Sequence, residues 1–140
     1  NQSINFKFNK FFRQMTKNKN KTLKILEIKG RQIKIENFYE RVTKFNFDEL
    51  CNRNLGSEDY IAIANNCNFI FINDLPDFNE DNSNQQQRFI ILIDIIYEKK
   101  IPLMVTSEIS LDKINSSKSL IEPFKRTVSR LYELTSMDYN

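Results

Sequence analysis

The sequence predicts an α/β fold, and three observations carry that prediction. The 140 residues fit one domain, and 40% hydrophobic residues, 12 of them Phe, are enough for a core. Alternating apolar runs in the first third indicate a small β-meander. An apolar strand, a long helix and a second apolar strand then follow, an order typical of a βαβ unit with a right-handed crossover. We therefore expect a small meander plus a parallel βαβ sheet, flanked by helices.

Residues 1–20 are predicted to form a basic amphipathic helix. Its apolar positions follow helical spacing: Ile4, Phe8, Phe11, Phe12 and Met15. Its other face carries Lys7, Lys10, Arg13 and Lys17. Aromatic rings among cations could stack on single-stranded nucleic acid. Phe at this spacing more often packs in a core, and both interpretations stay open.

Residues 21–47 are predicted to form the meander, and residues 48–140 an α/β subdomain of the same compact unit. In the meander, two alternating strands meet at a turn placed at Gly30-Arg31, and a third strand covers residues 42–47. Pro76 must end the first strand of the βαβ unit, because proline cannot sit inside a central strand. The other expected elements are a helix over 57–64, strands over 68–72 and 103–106, a polar loop over 77–85, a helix over 86–99 and a last helix through Ser136.

The charge is unevenly distributed along the chain. Residues 1–34 contain ten Lys or Arg and one Glu, a net charge of +9, whereas residues 35–100 contain six basic and twelve acidic residues, a net charge of −6. Such a basic block is typical of a surface for nucleic acid or an acidic partner. The alternative is an ordinary solvated lysine-rich face.

Composition excludes several kinds of chemistry. The chain contains no His, which excludes His-based triads, imidazole bases and His-ligated metals. Two Cys are too few for a disulfide scaffold or a four-thiolate zinc site. No apolar run is long enough for a membrane span and no signal-peptide pattern is present, so we expect a cytoplasmic protein.

The motif of a nucleotide-binding ATPase is present only in part. Four apolar residues, 69–72, precede Asn73-Asp74, and the next strand ends at Thr106-Ser107. This resembles a Walker B strand beside a polar sensor, but no GxxxxGK[ST] phosphate loop occurs in the chain. An ordinary βαβ unit with a polar loop explains the same residues, so we predict no catalytic residue and no metal site.

Three motifs in register resemble the ZapE-type AAA ATPase family. The first motif has two parts, FNFDELC at residues 45–51 and LGSEDYIAIA at residues 55–64. The second is RFIILIDIIYE at residues 88–98, and the third is RTVSRLYELTS at residues 126–136, followed by Tyr139. Gly30-Arg31 fits the hairpin that precedes these motifs in the family. The resemblance covers about residues 4 to 139, and it implies the C-terminal portion of a P-loop ATPase.

The resemblance implies ATP and Mg²⁺ as cofactors of the full-length family and none for this chain alone. It implies ATP hydrolysis coupled to protein remodelling or cell division, with the rest of the ATPase, a neighbouring subunit or a protein substrate as partner. The residues expected to maintain the motif structure are Gly30, Arg31, Gly56, Asp59 and Asp94. The alternatives are a non-catalytic basic module that binds nucleic acid or an acidic partner, and a non-functional gene remnant.

Arg88, Arg126 and Arg130 are the candidates for contact with a nucleotide or a subunit interface. Arg126 and Arg130 lie four residues apart, so on a helix they share a side. A guanidinium offers a planar fork of donors to phosphate or carboxylate. In the alternative, structural role, Arg130 pairs with a carboxylate such as Asp94 or Glu133 and fixes the final helix.

Overall fold

The computed structural model describes residues 2–135, and of residues 2–4 the backbone alone. Helices of this range are α1 (Gln2–Thr16), α2 (Phe47–Cys51), α3 (Ser57–Asn65), α4 (Ser83–Glu98) and α5 (Ile121–Thr135). Its strands are β1 (Lys21–Ile28), β2 (Arg31–Tyr39), β3 (Val42–Asn46), β4 (Phe69–Leu75) and β5 (Leu103–Ser107). Single 3₁₀ turns cover Glu80–Asn82, Leu111–Lys113 and Lys118–Leu120. The predicted α/β class is confirmed; Ser136 and Tyr139 lie outside the described residues.

One mixed sheet joins the meander to the βαβ unit. Its strand order is β1-β2-β3-β4-β5, with β1, β2 and β3 antiparallel and β3, β4 and β5 parallel. The third strand of the meander is therefore also the first parallel strand. All three parallel strands end at one edge of the sheet, next to the loops that follow them.

The central strand β4 is covered on both faces, which is typical of parallel strands. Ile70 and Ile72 point into the main core, which α2, α3, α4 and α5 close. Phe69 and Phe71 point to the opposite face and pack against α1. Successive residues of β4 thus point alternately to the two sides of the sheet, and the sheet lies between α1 and the other four helices.

Helix α1 uses its aromatic residues for packing. Phe8 and Phe12 are buried, and their rings lie edge-on to Phe71 with centroids 5.3 and 5.1 Å away. Phe11 packs on the same cluster. These three rings are therefore occupied by the core, and the idea that they stack on nucleic acid is wrong.

Two tight turns differ from the prediction. Lys29 and Gly30 have φ angles of +50° and +80° and form the β1–β2 turn, while Arg31 is the first residue of β2. The turn placed at Gly30-Arg31 is therefore one residue too late. Glu40 and Arg41 make the β2–β3 turn at φ +51° and +78° without any glycine. When residues other than Gly, Asn and Asp adopt the left-handed backbone conformation, the sequence gives no recognisable sign of a turn.

The polar segment before α4 is more ordered than predicted. Residues 77–85 were expected to be a loop, but they contain a 3₁₀ turn and the first three residues of α4. Asn79 caps the 3₁₀ turn by accepting the Asp81 N–H at 2.7 Å. Local side-chain caps of this kind order polar residues that carry no apolar periodicity. Among the described helices, none has the length and apolarity that a membrane crossing requires.

Candidate functional site

The hairpin residue Arg31 and the α3 residue Asp59 meet in an ion pair. Their Nη2 and Oδ1 atoms are 2.8 Å apart, and the Asp59 side chain is only 3% exposed. The other Asp59 oxygen, Oδ2, accepts the Gly56 N–H at 2.8 Å. A carboxylate in the first turn of a helix compensates its unpaired amides and its dipole. Three of the predicted structural residues, Arg31, Gly56 and Asp59, therefore form one contact, and Gly30 lies in the turn that precedes Arg31.

The carboxyl end of the short helix α2 is closed by side chains from α3 and α4. Tyr60 donates its hydroxyl to the Leu50 carbonyl at 2.7 Å, and Arg88 Nη1 donates to the Cys51 carbonyl at 3.1 Å. The last carbonyls of a helix have no partner inside the helix, so such donors stabilise its end. Arg88, a candidate for nucleotide contact, is thus directed at a backbone carbonyl within this chain.

Arg130 joins α5 to α4. It donates to Asp94 Oδ1, which is one of the two pairings that the sequence left open. Its guanidinium also lies over the Tyr97 ring, 4.7 Å from the centroid. Tyr97 in turn donates its hydroxyl to Glu133 Oε2 at 2.7 Å, and this bond raises the pKa of Tyr97. We call these four residues, Asp94, Tyr97, Arg130 and Glu133, the α4–α5 clasp.

Arg126 lies one turn before Arg130 on α5 and has different surroundings. Its side chain is exposed, and it makes no hydrogen bond or ion pair with any residue in the range 2–135. The structure therefore separates the two arginines that the sequence treated as a pair. Of the three candidate arginines, Arg126 is the one for which residues 2–135 provide no hydrogen-bond or ion-pair partner.

The carboxyl edge of the parallel strands is the place where an ATPase of this class would hold a nucleotide and its metal. Asp74, at φ +64°, accepts Asn46 Nδ2 at 2.8 Å, and its N–H donates to Thr106 Oγ1 at 3.1 Å. Asp74 and Thr106, which the sequence placed after or at the ends of neighbouring strands, are thus in contact, whereas the part of Asn46 was not predicted. Asp77 is also engaged, because its two carboxylate oxygens accept the backbone N–H and Nδ2 of Asn115 at 2.6 and 2.9 Å.

This edge does not fit Mg²⁺ and ATP. The residues that the structure describes contain no cluster of three or more Asp, Glu, Cys or His side chains that could hold a metal ion. The only two glycines, Gly30 and Gly56, are 26 positions apart, so no glycine-rich loop can form around a phosphate. A cavity of about 270 Å³ beside Asp74 and Asp77 lies between the loops after β4 and β5. Its carboxylates would repel a nucleotide's phosphates.

Both thiols are unreactive core groups. Burial raises the pKa of Cys51 to about 12 and the pKa of Cys67 to about 11. The Cys67 sulfur accepts the Thr43 hydroxyl at 3.4 Å. A thiol is nucleophilic as the thiolate, so neither residue is a candidate nucleophile.

Sequence reasoning missed the buried amide of Gln86. Its Nε2 donates to Ser116 Oγ at 2.7 Å, and its Oε1 accepts the Ser117 N–H at 3.1 Å. Gln86 is fully buried and connects α4 to the loop before α5. The signal was present: Gln86 lies three and four residues before Phe89 and Ile90, so it falls on the apolar stripe of α4.

The five-stranded mixed sheet flanked by helices is consistent with a P-loop ATPase fold, and the sequence contains no GxxxxGK[ST] phosphate-loop motif. The chain belongs to the AFG1-like ATPase family, whose model matches residues 1–140. The cell division protein ZapE of Escherichia coli K12 is 30% identical over 114 residues, which are 81% of this chain and 30% of ZapE. Lactation elevated protein 1 homolog B of Danio rerio is 28% identical over 91 residues, 65% of this chain and 18% of that protein.

A protein of Schizosaccharomyces pombe with no assigned function is also similar, at 27% identity over 89 residues, 64% of this chain and 20% of its own length. The chain therefore spans less than a third of each of these three relatives. No solved structure gives a significant match.

The residues that carry the family resemblance contact one another. Arg31 and Asp59 join the hairpin to the LG-x-x-DY motif, and Arg88 joins the next motif to the carboxyl end of FNFDELC. Arg130 and Asp94 join the last two motifs. Motifs that are far apart in the sequence thus form one contact between the sheet and a helix and two contacts between helices.

Proposed function

We propose that this chain is the portion of an AFG1-like ATPase that supports ATP hydrolysis carried out elsewhere in the whole protein. The observation that carries the proposal is the internal pairing of the motif residues in a chain without a phosphate loop. Residues that form a binding site point their polar groups into an open cavity, whereas the motif residues use their polar groups for hydrogen bonds and ion pairs within this chain. Their role is then to hold the fold rigid, and the chain alone neither binds nor hydrolyses ATP.

The whole protein would use ATP and Mg²⁺ to remodel a protein substrate. The name of ZapE supports a connection to cell division. Under this proposal, the partner of the chain is the nucleotide-binding part of the same ATPase or a neighbouring subunit. Arg126 is the residue best placed to reach it, because its guanidinium is exposed on α5.

The gene itself provides the first test. We expect the reading frame on the 5′ side to continue in frame and to encode a GxxxxGK[ST] phosphate loop. A stop codon directly before this region would contradict the proposal. It would favour a free-standing basic module or a non-functional remnant.

The second test uses the whole ATPase and separates two roles for the arginines. Arg130→Ala should lower the melting temperature, because it breaks the α4–α5 clasp. If Arg126 reaches a nucleotide at a subunit boundary, Arg126→Ala should lower kcat while the melting temperature stays unchanged. Loss of kcat with an unchanged melting temperature for Arg130→Ala would contradict the structural role of Arg130.

A further inference from the structure

The solvent side of α1 carries positive charge without any carboxylate. The first 26 residues of the chain contain seven Lys or Arg and no Asp or Glu. Phe8 and Phe12 define the buried side of α1. At about 100° per residue, Lys10 falls on the opposite side of the helix and is exposed. Lys17 is exposed in the turn that directly follows the helix. The proposed function does not use this surface.

An aromatic ring lies within the same cationic surface. Phe6 is 62% exposed, the most exposed of the large hydrophobic side chains that the structure describes. It lies four residues before Lys10 and seven before Arg13, so these three residues form one line along the helix, and Lys17 follows in the turn directly after the helix end at Thr16. We call these residues, Phe6, Lys10, Arg13 and Lys17, the α1 stripe.

We propose that the α1 stripe binds single-stranded nucleic acid. The three cations would contact successive backbone phosphates, and Phe6 would stack on an unpaired base. Exposed amides lie beside the stripe at Asn5, Asn9 and Gln14, and amides donate to phosphate oxygens and to base edges. The surface thus combines charge, one stacking platform and hydrogen-bonding groups.

The same residues fit a single strand better than the other polyanions. A duplex keeps its bases stacked, so it offers Phe6 no free base face. An amphipathic helix enters a membrane by its apolar face, but that face of α1 is already covered by Phe69 and Phe71 of the sheet. An acidic protein would pair with the cations and leave Phe6 without a specific role.

The test titrates the 140-residue chain into a fluorescent 20-nucleotide oligo(dT) and follows anisotropy at several salt concentrations. Three phosphate contacts to a single strand predict a slope of about −2 in a plot of log K against log salt. A duplex of the same length should bind more weakly. No binding at low salt would overturn the proposal, as would binding to phosphatidylserine vesicles without binding to the oligonucleotide.

Matched variants separate the stripe from general positive charge. Phe6→Ala should weaken oligo(dT) binding about tenfold, whereas Leu23→Ala, which removes another exposed apolar side chain, should leave it unchanged. Lys10→Gln/Arg13→Gln should weaken it more than Lys99→Gln/Lys113→Gln, which removes the same two charges from exposed positions elsewhere. Equal losses in the two double variants, or an unchanged affinity of Phe6→Ala, would overturn the proposal. Phe6 is 62% exposed and belongs to neither of the two core clusters of the described residues, so the melting temperature of Phe6→Ala should equal that of the original chain.

Discussion

Arg126 and Arg130 show how far one helical turn can change the role of the same residue type. Arg130 lies between Asp94 and the Tyr97 ring, and its side chain is 22% exposed. Arg126 lies one turn earlier on the same side of α5, and its side chain is exposed. A charged hydrogen bond combined with a cation–π contact stabilises a fold, whereas an exposed arginine without a partner does not.

We expect Arg130→Ala to lower the free energy of unfolding by about 1–2 kcal/mol, because the half-exposed Asp94 reduces the value of the ion pair. Arg126→Ala is the matched control and should change it by less than about 0.5 kcal/mol. Urea denaturation of the two variants measures both effects. Equal losses of stability would show that the α4–α5 clasp does not hold the helices together.

The buried thiols predict how stability depends on pH. Both pKa values are raised in the folded chain above the ordinary value of 9.0, so folding favours the neutral thiol. The corresponding stability is fully present below pH 9 and is lost as the pH rises through about 11 and 12. At pH 10 we expect a loss of about 1 kcal/mol for each thiol, because the unfolded chain has already released its protons.

Urea denaturation at pH 8 and pH 10 measures this loss. The Cys51→Ala/Cys67→Ala variant is its control, since it retains every other titrating group. Its stability should change less between the two pH values than that of the original chain. The same change in both proteins would contradict the burial of the thiols.

At the scale of the elements, the β1–β2 turn carries avoidable strain. Lys29 adopts φ +50° ahead of Gly30, the arrangement in which Asn-Gly is the favoured pair. The Lys29 ion pair with Glu58 is exposed and therefore stabilises the fold little. Lys29→Asn should raise the free energy of unfolding by about 0.5 kcal/mol, as measured by thermal denaturation.

Lys34→Asn is the control for this turn variant, because Lys34 is exposed in the extended strand β2 and Asn is disfavoured there. It should not stabilise the protein. Stabilisation by both substitutions would indicate an effect of charge rather than of the turn.

The elements also show what a sequence can and cannot predict. The βαβ order follows from the hydrophobic periodicity of the sequence, and the end of β4 before Pro76 follows from the missing N–H of proline. Asp74 and Thr106 lie close together because they follow or end neighbouring parallel strands. The Glu40-Arg41 turn does not, because tertiary contacts hold it in place. Arg41 donates to Asn68 Oδ1 and to the Asn65 carbonyl, each at 3.0 Å.

The same limit applies to the candidate site. The sequence predicted the Arg130–Asp94 ion pair only as one of two possible pairings. Residue spacing shows which side chains share a face of a helix, but it does not show which other helix that face contacts. The exposure of Phe6 beside the buried Phe8 agrees with helical spacing, because Phe6 lies about 200° around the helix from Phe8 and outside the predicted apolar positions.

At the scale of the whole molecule, the fold is one mixed sheet whose helices are joined through the family motifs. The core is divided by the sheet into a larger layer and the α1 layer. At the carboxyl edge of the parallel strands, where related architectures bind phosphates, Asp74 is hydrogen-bonded to Asn46 and Thr106. The described residues thus have the outline of a nucleotide-binding fold, and the sequence contains no phosphate-loop motif.

The central claim is that this chain supports an ATPase without binding ATP itself, and calorimetry tests it most directly. We predict that titrating MgATP into the folded 140-residue chain produces no heat of binding, because the sequence contains no GxxxxGK[ST] phosphate loop and residues 2–135 contain no carboxylate cluster for Mg²⁺. A circular dichroism spectrum of the same sample verifies that the chain is folded. Binding of MgATP with micromolar affinity would contradict the account.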